Sequence, residues 1–244
     1  MNVYIFFIRL KKIFYIFSSK RFLLIFLRFR VFPAVEHKPI FKNNLKTIID
    51  IGANKGQFSL ACQRWAPQAI VYGFEPLPQP FKIYERIFKN ERRFFIFESA
   101  IGKKSKAHSM HISAKEDSSS LLPIGKNQAA FFPGTHEIST IKVRVENLDF
   151  FITSKKILKP ALMKLDVQGY EFDALLASEK LINNFEFIYC ECSYERLYIG
   201  QKLAYEIVDW LATKKFKLIG IYNTNYDKNG SAIQSDFLFQ QLLI

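Results

Sequence analysis

Residues 47–58 read TIIDIGANKGQF, and this stretch decides the fold of the chain. A β-branched apolar run reaches Asp50, turns through Gly52 and Gly56, and continues into a pattern typical of a helix start. The next apolar run, residues 70–75, also ends in an acid, Glu75. Ligands of open α/β sheets bind at the carboxyl ends of parallel strands. The two acids and the glycine turn therefore predict a pocket for an adenosine-bearing cofactor.

The spacing of the glycines discriminates between cofactors. A dinucleotide loop, G-x-G-x-x-G, needs a glycine where Asn54 stands, and its third glycine is also missing. No G-K-[ST] follows the turn, which excludes a P-loop. The loop suits S-adenosylmethionine, with Asp50 anchoring the methionine end and Glu75 accepting hydrogen bonds from both ribose hydroxyls. The alternative is that the glycines only permit a tight turn and that Glu75 is a solvated strand end.

Strand-like and helix-like segments alternate along the body of the chain. This alternation predicts an α/β fold with a mostly parallel sheet covered on both faces. Apolar runs at about 216–222 and 236–243 predict a terminal hairpin with the last strand antiparallel, which is the usual modification of the Rossmann-like sheet in methyltransferases. Period-two alternation within about 102–155 predicts an inserted β-hairpin region over the carboxyl edge of the sheet, where loops contact substrates.

A second strand–acid–glycine–helix pattern follows at residues 163–171, MKLDVQGYE. Its strand should neighbour the first across the switch point of the sheet, so that Asp166 faces the crevice. The next strand brings Glu191 to the same rim. The alternatives are that Asp166 only caps the helix after Gly169 and that Glu191 pairs with a nearby base such as Lys164.

These motifs, taken as an ordered set over about residues 45–240, resemble the FkbM family of S-adenosylmethionine-dependent methyltransferases. The matching segments are IDIGANKG (49–56), GFEP (73–76), SAIG (99–102), VENLD (145–149), KLDVQGYE (164–171) and SDFLF (235–239). The resemblance implies a Rossmann-like class I methyltransferase fold and O-methylation of a hydroxyl on a sugar, glycolipid, polysaccharide or natural-product acceptor. Gln168 is a departure, since the family more often has Glu there.

The resemblance and the strand-end positions together give a predicted cofactor site and a predicted catalytic set. The cofactor-binding set comprises Asp50, Gly52, Ala53, Asn54, Gly56, Phe58, Glu75, Pro76, Ser99, Ala100 and Asp166, with Ala100 near the adenine. Asp166 is predicted to accept the hydroxyl proton, and Glu191 or Glu171 to orient the acceptor. Three histidines of the inserted region, His108, His111 and His136, are other candidate bases. No dedicated metal site is predicted, although Asp166 and Glu191 could together hold a divalent cation.

The first 40 residues are predicted to form a basic, aromatic-rich helical segment and linker, ahead of a methyltransferase domain at 41–244. The first 30 residues contain seven of the 35 basic residues and none of the 22 acidic ones. Short apolar clusters between Lys and Arg predict basic amphipathic helices. These either lie on a membrane surface through residues 1–32 or pack over the domain with their basic side chains in water. The longest uncharged stretch there, residues 13–19, is too short to span a bilayer.

Two other function classes compete with the small-molecule or glycan methyltransferase. The net charge of +13 favours a nucleic-acid methyltransferase, but the body lacks a concentrated basic stripe, which argues against nucleic acid. A non-catalytic membrane adaptor that keeps the fold is the third class. Three cysteines without metal-ligand spacing indicate reduced thiols, so the expected location is cytoplasmic, peripheral on the cytoplasmic membrane face if the N-terminal segment binds lipid. The sequence leaves the oligomeric state open.

Overall fold

The fold is given by a computed structural model, which describes residues 12–41, 44–103 and 108–242. Residues 1–11 of the predicted N-terminal segment and residue 243 of the predicted final strand lie outside the described residues. Residues 12–17 are helical, and they are followed by helix α1 (Lys20–Phe29) and a 3-10 helix (Val35–Ile40).

A seven-stranded sheet forms the centre of the protein. Its strands lie in the order β10-β11-β9-β8-β1-β2-β3, and only β11 runs antiparallel to its neighbours. The predicted reversed last strand is therefore confirmed. The strands are β1 (Thr47–Ile51), β2 (Ile70–Phe74), β3 (Phe94–Phe97), β8 (Ala161–Leu165), β9 (Phe187–Ser193), β10 (Phe216–Tyr226) and β11 (Ala232–Gln241).

Helices connect the parallel strands and cover the faces of the sheet. The first of these helices begins after Gly56, whose φ of +90° a residue with a side chain rarely adopts. The helices after α1 are α2 (Gln57–Trp65), α3 (Pro78–Phe88), α4 (Lys126–Phe131), α5 (Leu148–Phe151), α6 (Glu171–Ala177) and α7 (Ala204–Thr213). Short 3-10 helices lie at Glu116–Ser118, Ser154–Lys156 and Glu179–Asn184.

The region between β3 and β8 forms two small sheets. Strand β5 (His108–Ser113) pairs antiparallel with β6 (Glu137–Val143), as the alternating pattern predicts. Strand β4 (Ala100–Ile101) pairs with β7 (Val145–Glu146) in parallel, a pairing that the sequence pattern did not indicate. Two-residue strands are too short to show alternation, which explains why that pair was missed.

Two apolar clusters hold the layers together. One lies between the sheet and helices α6 and α7, and includes the fully buried Phe185 and Leu211. The other lies on the side of α2 and α3, and Phe22 and Ile25 of α1 belong to it. Arg21 also forms an ion pair of 2.8 Å with Glu91, beyond the end of α3. One side of α1 therefore packs on the domain.

The opposite side of the N-terminal helices carries large apolar side chains that are exposed. These residues are Ile13, Phe14, Phe17, Leu24 and Leu27. Within the described residues, no helix is long and apolar enough to cross a membrane.

Candidate active site

A cleft of about 620 Å³ opens at the carboxyl ends of β1, β2 and β8. One wall is the turn after β1, a second is the turn after β8, and a third comes from the inserted region. Arg30, Phe32 and His37 of the N-terminal segment form part of its lining. The switch point of the sheet lies between β1 and β8, which is where open α/β folds bind their ligands.

The turn after β1 needs glycine because it approaches another backbone. Gly52 has a φ of +81°, and a Cβ atom placed on it would lie 1.9 Å from the backbone oxygen of Asp166. Asn54 also adopts a left-handed conformation, with a φ of +47°. Asn is among the residues that tolerate this conformation best. The backbone of this turn therefore lines the cleft and lies close to the turn after β8.

Glu75 fixes this turn from the end of β2. One carboxylate oxygen accepts a hydrogen bond of 2.8 Å from the backbone N–H of Asn54, and the other accepts one of 2.8 Å from Leu77. Burial raises the pKa of Glu75 to about 7, and these two hydrogen bonds act in the opposite direction. Each oxygen keeps a lone pair for a further donor. The carboxylate can therefore accept two hydroxyl groups, as a ribose would supply.

Asp50 lies beneath the cleft and forms an ion pair with a buried lysine. Its side chain is fully buried, and its Oδ1 lies 3.1 Å from Nζ of Lys164, while Ser59 donates a hydrogen bond of 3.2 Å to Oδ2. Burial raises the pKa of Asp50, against the opposing effect of the Lys164 charge. Lys164 also lies 3.4 Å from Oδ2 of Asp166. The lysine thus joins the acids that end β1 and β8.

Asp166 and Glu191 are joined by the amide of Gln168. Its Nε2 donates hydrogen bonds of 2.8 Å to Oδ1 of Asp166 and 3.0 Å to Oε2 of Glu191, and its Oε1 accepts one of 3.1 Å from Tyr198. Gln234 donates to the other oxygen of Glu191 at 2.9 Å. The two acids therefore form one hydrogen-bonded group on the wall of the cleft.

The members of this pair have opposite pKa shifts. Burial raises the pKa of Asp166, but Lys164 and the Gln168 hydrogen bond outweigh that effect and hold it below the usual value. Burial and the neighbouring Asp166 charge raise the pKa of Glu191. A carboxylate with a lowered pKa is a weak proton acceptor but a good hydrogen-bond acceptor, which suits Asp166 to orienting a hydroxyl group.

Glu171 makes a different set of contacts. One of its oxygens accepts the backbone N–H groups of Val167 at 3.0 Å and Gly169 at 3.1 Å, and the side chain is almost fully buried. Burial raises its pKa to about 7. Glu171 thus closes the turn after β8 from behind, and it is not among the residues that line the cleft.

The remaining predicted residues divide between the lining and the supporting structure. Among the predicted cofactor and catalytic residues, those that line the cleft are Gly52, Ala53, Asn54, Phe58, Glu75, Pro76, Ala100, Asp166 and Glu191. Those that do not are Asp50, Gly56, Ser99 and Glu171. Gly56 begins α2, where a Cβ would lie 2.7 Å from the Phe88 ring. Ser99 is fully buried, and its hydroxyl donates to the backbone oxygen of Ala100.

The three histidines suggested as alternative bases lie in the inserted region and do not line the cleft. His111 on β5 lies 2.9 Å from Glu137 on the facing strand. His108 is on the same strand, and His136 is exposed just before β6. Across residues 12–41, 44–103 and 108–242, no group of three or more His, Cys, Asp or Glu side chains is arranged to hold a metal ion.

The sheet order, the reversed β11 and the cleft at the switch point define a class I methyltransferase. The chain matches the family model described as the methyltransferase FkbM domain over residues 50–218. It belongs to that family, and its methyl donor is S-adenosylmethionine. The resemblance seen in the motifs is thus confirmed.

Curated relatives carry the names of methyltransferases. The chain is 29% identical to the 2-O-methyltransferase NoeI of Sinorhizobium fredii, over 70% of this chain and 72% of that protein. It is 27% identical to the hexuronic acid methyltransferase AglP of Haloferax volcanii, over 58% of this chain and 54% of that protein. Among solved structures, an uncharacterized protein of Listeria monocytogenes serotype 4b superposes with a TM-score of 0.50 and 8% identity, covering 86% of this chain and 67% of that one.

The residues of the cleft fit the methyl donor. Glu75 has two lone pairs available for the hydroxyls of a ribose. Because Gly52 has no Cβ, the backbone of its turn can lie close to the turn after β8. Asp50 does not line the cleft, and its charge is paired with that of Lys164. Direct anchoring by Asp50 stays a prediction.

Sequence reasoning missed several polar residues of the site. Lys164 was considered only as a partner of Glu191, and His37, Tyr189 and Gln234 were not considered. The strand register holds a signal for the first of these, because Lys164 is the direct neighbour of Asp50 on adjacent parallel strands. His37 lies outside the motif set and has no comparable signal.

Proposed function

We propose that the protein methylates a hydroxyl group of a sugar, in a glycolipid, a polysaccharide or a natural-product glycoside. The observation that carries this proposal is the Gln168-linked pair of acids beside the cofactor cradle. Carboxylates fixed in this way are suitable acceptors for the hydroxyl groups of a sugar ring. The name of the Haloferax volcanii relative, a hexuronic acid methyltransferase, supports the same class of acceptor.

The chain's contribution to the reaction is mainly to position the two reactants. When bound, S-adenosylmethionine supplies an electrophilic methyl carbon. Glu75 binds the ribose hydroxyls, and Asp166 accepts a hydrogen bond from a neighbouring hydroxyl of the acceptor sugar, which directs the reacting oxygen toward the methyl group. Lys164 and Gln168 hold Asp166 in place. Alignment of this kind accounts for a large part of the acceleration of such displacements.

The test is incubation with isotopically labelled methyl donor and a panel of acceptors, followed by mass spectrometry for the gain of one CH₂. The panel contains neutral sugars, hexuronic acids, glycolipids, natural-product glycosides and a transfer RNA. Asp166→Asn should lower methyl transfer strongly while leaving donor affinity nearly unchanged, and Asp209→Asn, on the exposed side of α7, is the matched control. Labelling of the RNA alone, or equal activity of Asp166→Asn, would contradict the proposal.

We also propose that the N-terminal helices rest on an anionic lipid surface. Five large apolar side chains, Ile13, Phe14, Phe17, Leu24 and Leu27, are exposed on one side of these helices. Lys20, Arg28 and Arg30 are exposed along the same helices, whereas no exposed acid lies among residues 12–30. Apolar residues at the acyl boundary with basic residues at the headgroups are the arrangement of interfacial helices, and each basic residue contributes about 1 kcal/mol near such a surface.

Sedimentation with vesicles tests this placement. The protein should sediment with vesicles that contain phosphatidylserine and not with neutral phosphatidylcholine vesicles, and added salt should weaken binding. The double substitution Phe17→Asp with Leu24→Asp should abolish sedimentation. Leu158→Asp, which is 50% exposed in the loop before β8, should have no effect. Binding of the double variant equal to that of the wild type would exclude this surface.

A further inference from the structure

His37 lies against the cleft although it comes from the N-terminal segment, upstream of the residues that match the family model. The segment is tied to the domain by a hydrogen bond of 3.0 Å from the Ala34 backbone N–H to the oxygen of Gln57. The imidazole packs edge-on against Phe58 and Tyr189, with 5.5 Å between ring centroids in each case. The ring is therefore held between the start of α2 and the central sheet.

One ring nitrogen of His37 faces a buried polar cluster built from the last three strands. Its Nδ1 lies 3.0 Å from the hydroxyl of Tyr189 on β9 and 3.6 Å from Oδ2 of Asp236 on β11. Tyr189 donates a hydrogen bond of 2.9 Å to that Asp236 oxygen, and Asn223 on β10 donates one of 2.7 Å. The side chain of His37 is only 13% exposed.

This cluster determines the tautomer of the imidazole. A hydroxyl has one proton, and Tyr189 gives it to the carboxylate of Asp236, which is the stronger acceptor. The 3.0 Å contact with the tyrosine oxygen is then made when His37 Nδ1 carries a proton and donates it. The amide of Asn223 lies farther from Nδ1, at 3.4 Å, and its other contacts are with Asp236 and Tyr189, so we take the shorter contact to set the tautomer. In neutral imidazole the other nitrogen, Nε2, is left with its lone pair. Within the described residues, no hydrogen bond involves Nε2. This nitrogen is also absent from the buried polar atoms that lack a partner, so it is accessible.

His37 lines the same cleft as the acids on the acceptor side. His37, Asp166, Glu191 and Gln234 all line the cleft, and the charge of a protonated His37 lowers the pKa of Asp166. Asp166 is engaged by Lys164 and Gln168, and both oxygens of Glu191 accept amide hydrogens. Among these groups, the imidazole is the one with an unengaged basic atom.

We propose that His37 is the general base of the methyl transfer, and that Asp236, acting through Tyr189, is a positioning residue that fixes its tautomer. The proposal rests on the proposed hydroxyl acceptor. As the acceptor oxygen forms its bond to the methyl carbon and the carbon–sulfur bond breaks, the electron pair of that bond stays on sulfur and the hydroxyl proton passes to Nε2. The imidazolium then releases this proton to water. Asp236 stabilises the positive charge during the step.

The first test uses methyl-transfer kinetics of the full chain with the acceptor that gives the largest CH₂ gain. His37→Gln should lower kcat by about 10²- to 10⁴-fold, with little change in KM or in donor affinity. In His37→Ala, added imidazole should restore part of the activity, which a merely structural role would not allow. Asp236→Asn should cause a smaller loss. Lys89→Gln, at an exposed basic residue just after α3, is the control and should leave kcat unchanged.

The second test does not depend on turnover. Long-range ¹H–¹⁵N correlation spectra of the neutral His37 ring should show the tautomer with the proton on Nδ1, and Asp236→Asn should shift the population toward the other tautomer. A proton on Nε2, or wild-type kcat in His37→Gln, would overturn the assignment of the base. Absence of methyl transfer by the wild type to every acceptor would instead contradict the proposed function, while the tautomer would still test the role of His37.

Discussion

Asp50 and Lys164 are direct neighbours on the parallel strands β1 and β8, and their side chains meet 3.1 Å apart beneath the cleft. The lysine side chain is 5% exposed and the aspartate is fully buried. The same ammonium lies 3.4 Å from Asp166 and 3.3 Å from the backbone oxygen of Gly52. One buried cation thus links the floor of the cofactor site to the acid on the acceptor side.

Removal of this cation should destabilise the fold. Lys164→Met leaves Asp50 buried and unpaired, and we expect a loss of about 3–5 kcal/mol in the free energy of unfolding, measured by urea denaturation. The matched control is Lys180→Met. Its ion pair with Asp149 is 2.7 Å long, but the lysine is 75% exposed, so we expect a loss below about 1 kcal/mol. Equal losses in the two variants would show that burial of the Asp50 pair is unimportant.

Gly52→Ala should disrupt the contact between the two turns of the cleft. The added Cβ would lie 1.9 Å from the backbone oxygen of Asp166, so one turn must move. We expect a loss of several kcal/mol in stability and no measurable binding of S-adenosylmethionine by calorimetry.

Substitution of a second glycine separates the effect of backbone strain from the effect of a steric clash. Gly230 has a φ of +87°, close to the +81° of Gly52, but nothing lies within 4 Å of its would-be Cβ. Gly230→Ala should therefore cost only about 1 kcal/mol and leave cofactor binding intact. A similar loss in both variants would mean that backbone conformation, not the approach to Asp166, requires glycine at position 52.

The raised pKa values of Glu75 and Glu171 predict how stability changes with pH. Each carboxyl has a pKa of about 7 in the folded protein against an ordinary 4.5, so the folded state binds more protons than the unfolded state between those values. The stabilisation from these groups is complete below about pH 4.5 and is lost as the pH rises through about 7. It amounts to about 3 kcal/mol at most for each group, since one pKa unit corresponds to about 1.4 kcal/mol.

Urea denaturation at about pH 5 and about pH 8 measures this effect. The difference in unfolding free energy between the two pH values should be smaller in Glu171→Gln than in the wild type. Glu85→Gln, at an exposed residue of α3, is the control and should retain the wild-type difference. If Glu171→Gln keeps the wild-type difference in unfolding free energy between the two pH values, the buried carboxyl does not titrate in this range.

Glu75 should also make cofactor binding depend on pH. Protonation below about pH 7 removes one of the acceptor positions that a ribose would use. We therefore expect the affinity for S-adenosylmethionine to fall as the pH decreases through about 7, and the Glu75→Gln variant to bind weakly without this dependence. Calorimetric titrations at several pH values provide the measurement. Identical pH dependence in the variant would assign the effect to another group.

The sequence predicted the sheet well because strand ends and periodicity are local signals. The runs that became β1 and β8, the acids at their ends and the reversed β11 all follow from patterns of about ten residues. The turn through Gly52 and Gly56 was correctly predicted because both residues have a positive φ, which restricts residue choice.

The details of the site could not be predicted in the same way because they depend on pairs that are distant in the chain. The Lys164–Asp50 pair needs the β1–β8 register, and the cluster around Asp236 needs His37 to fold back over 199 residues of chain. Glu171 and Asp50 looked like site residues, since strand-end and turn positions indicate location but not which way a carboxylate faces. Neither lines the cleft in the structure.

Gln168 offers a further test of the site, since its amide lies between two acids and donates a hydrogen bond to each. Gln168→Leu removes both hydrogen bonds, and hydrogen bonds to charged groups are worth about 1.5–3 kcal/mol. We expect kcat/KM for methyl transfer to fall about 10- to 100-fold. Gln240→Leu, exposed near the end of β11, is the control and should behave as the wild type. Gln168→Glu places a third carboxylate in the group and should also lower the rate by repulsion, which high salt or a divalent cation would partly relieve. If both variants at position 168 keep wild-type kcat/KM, the paired acids do not hold the acceptor.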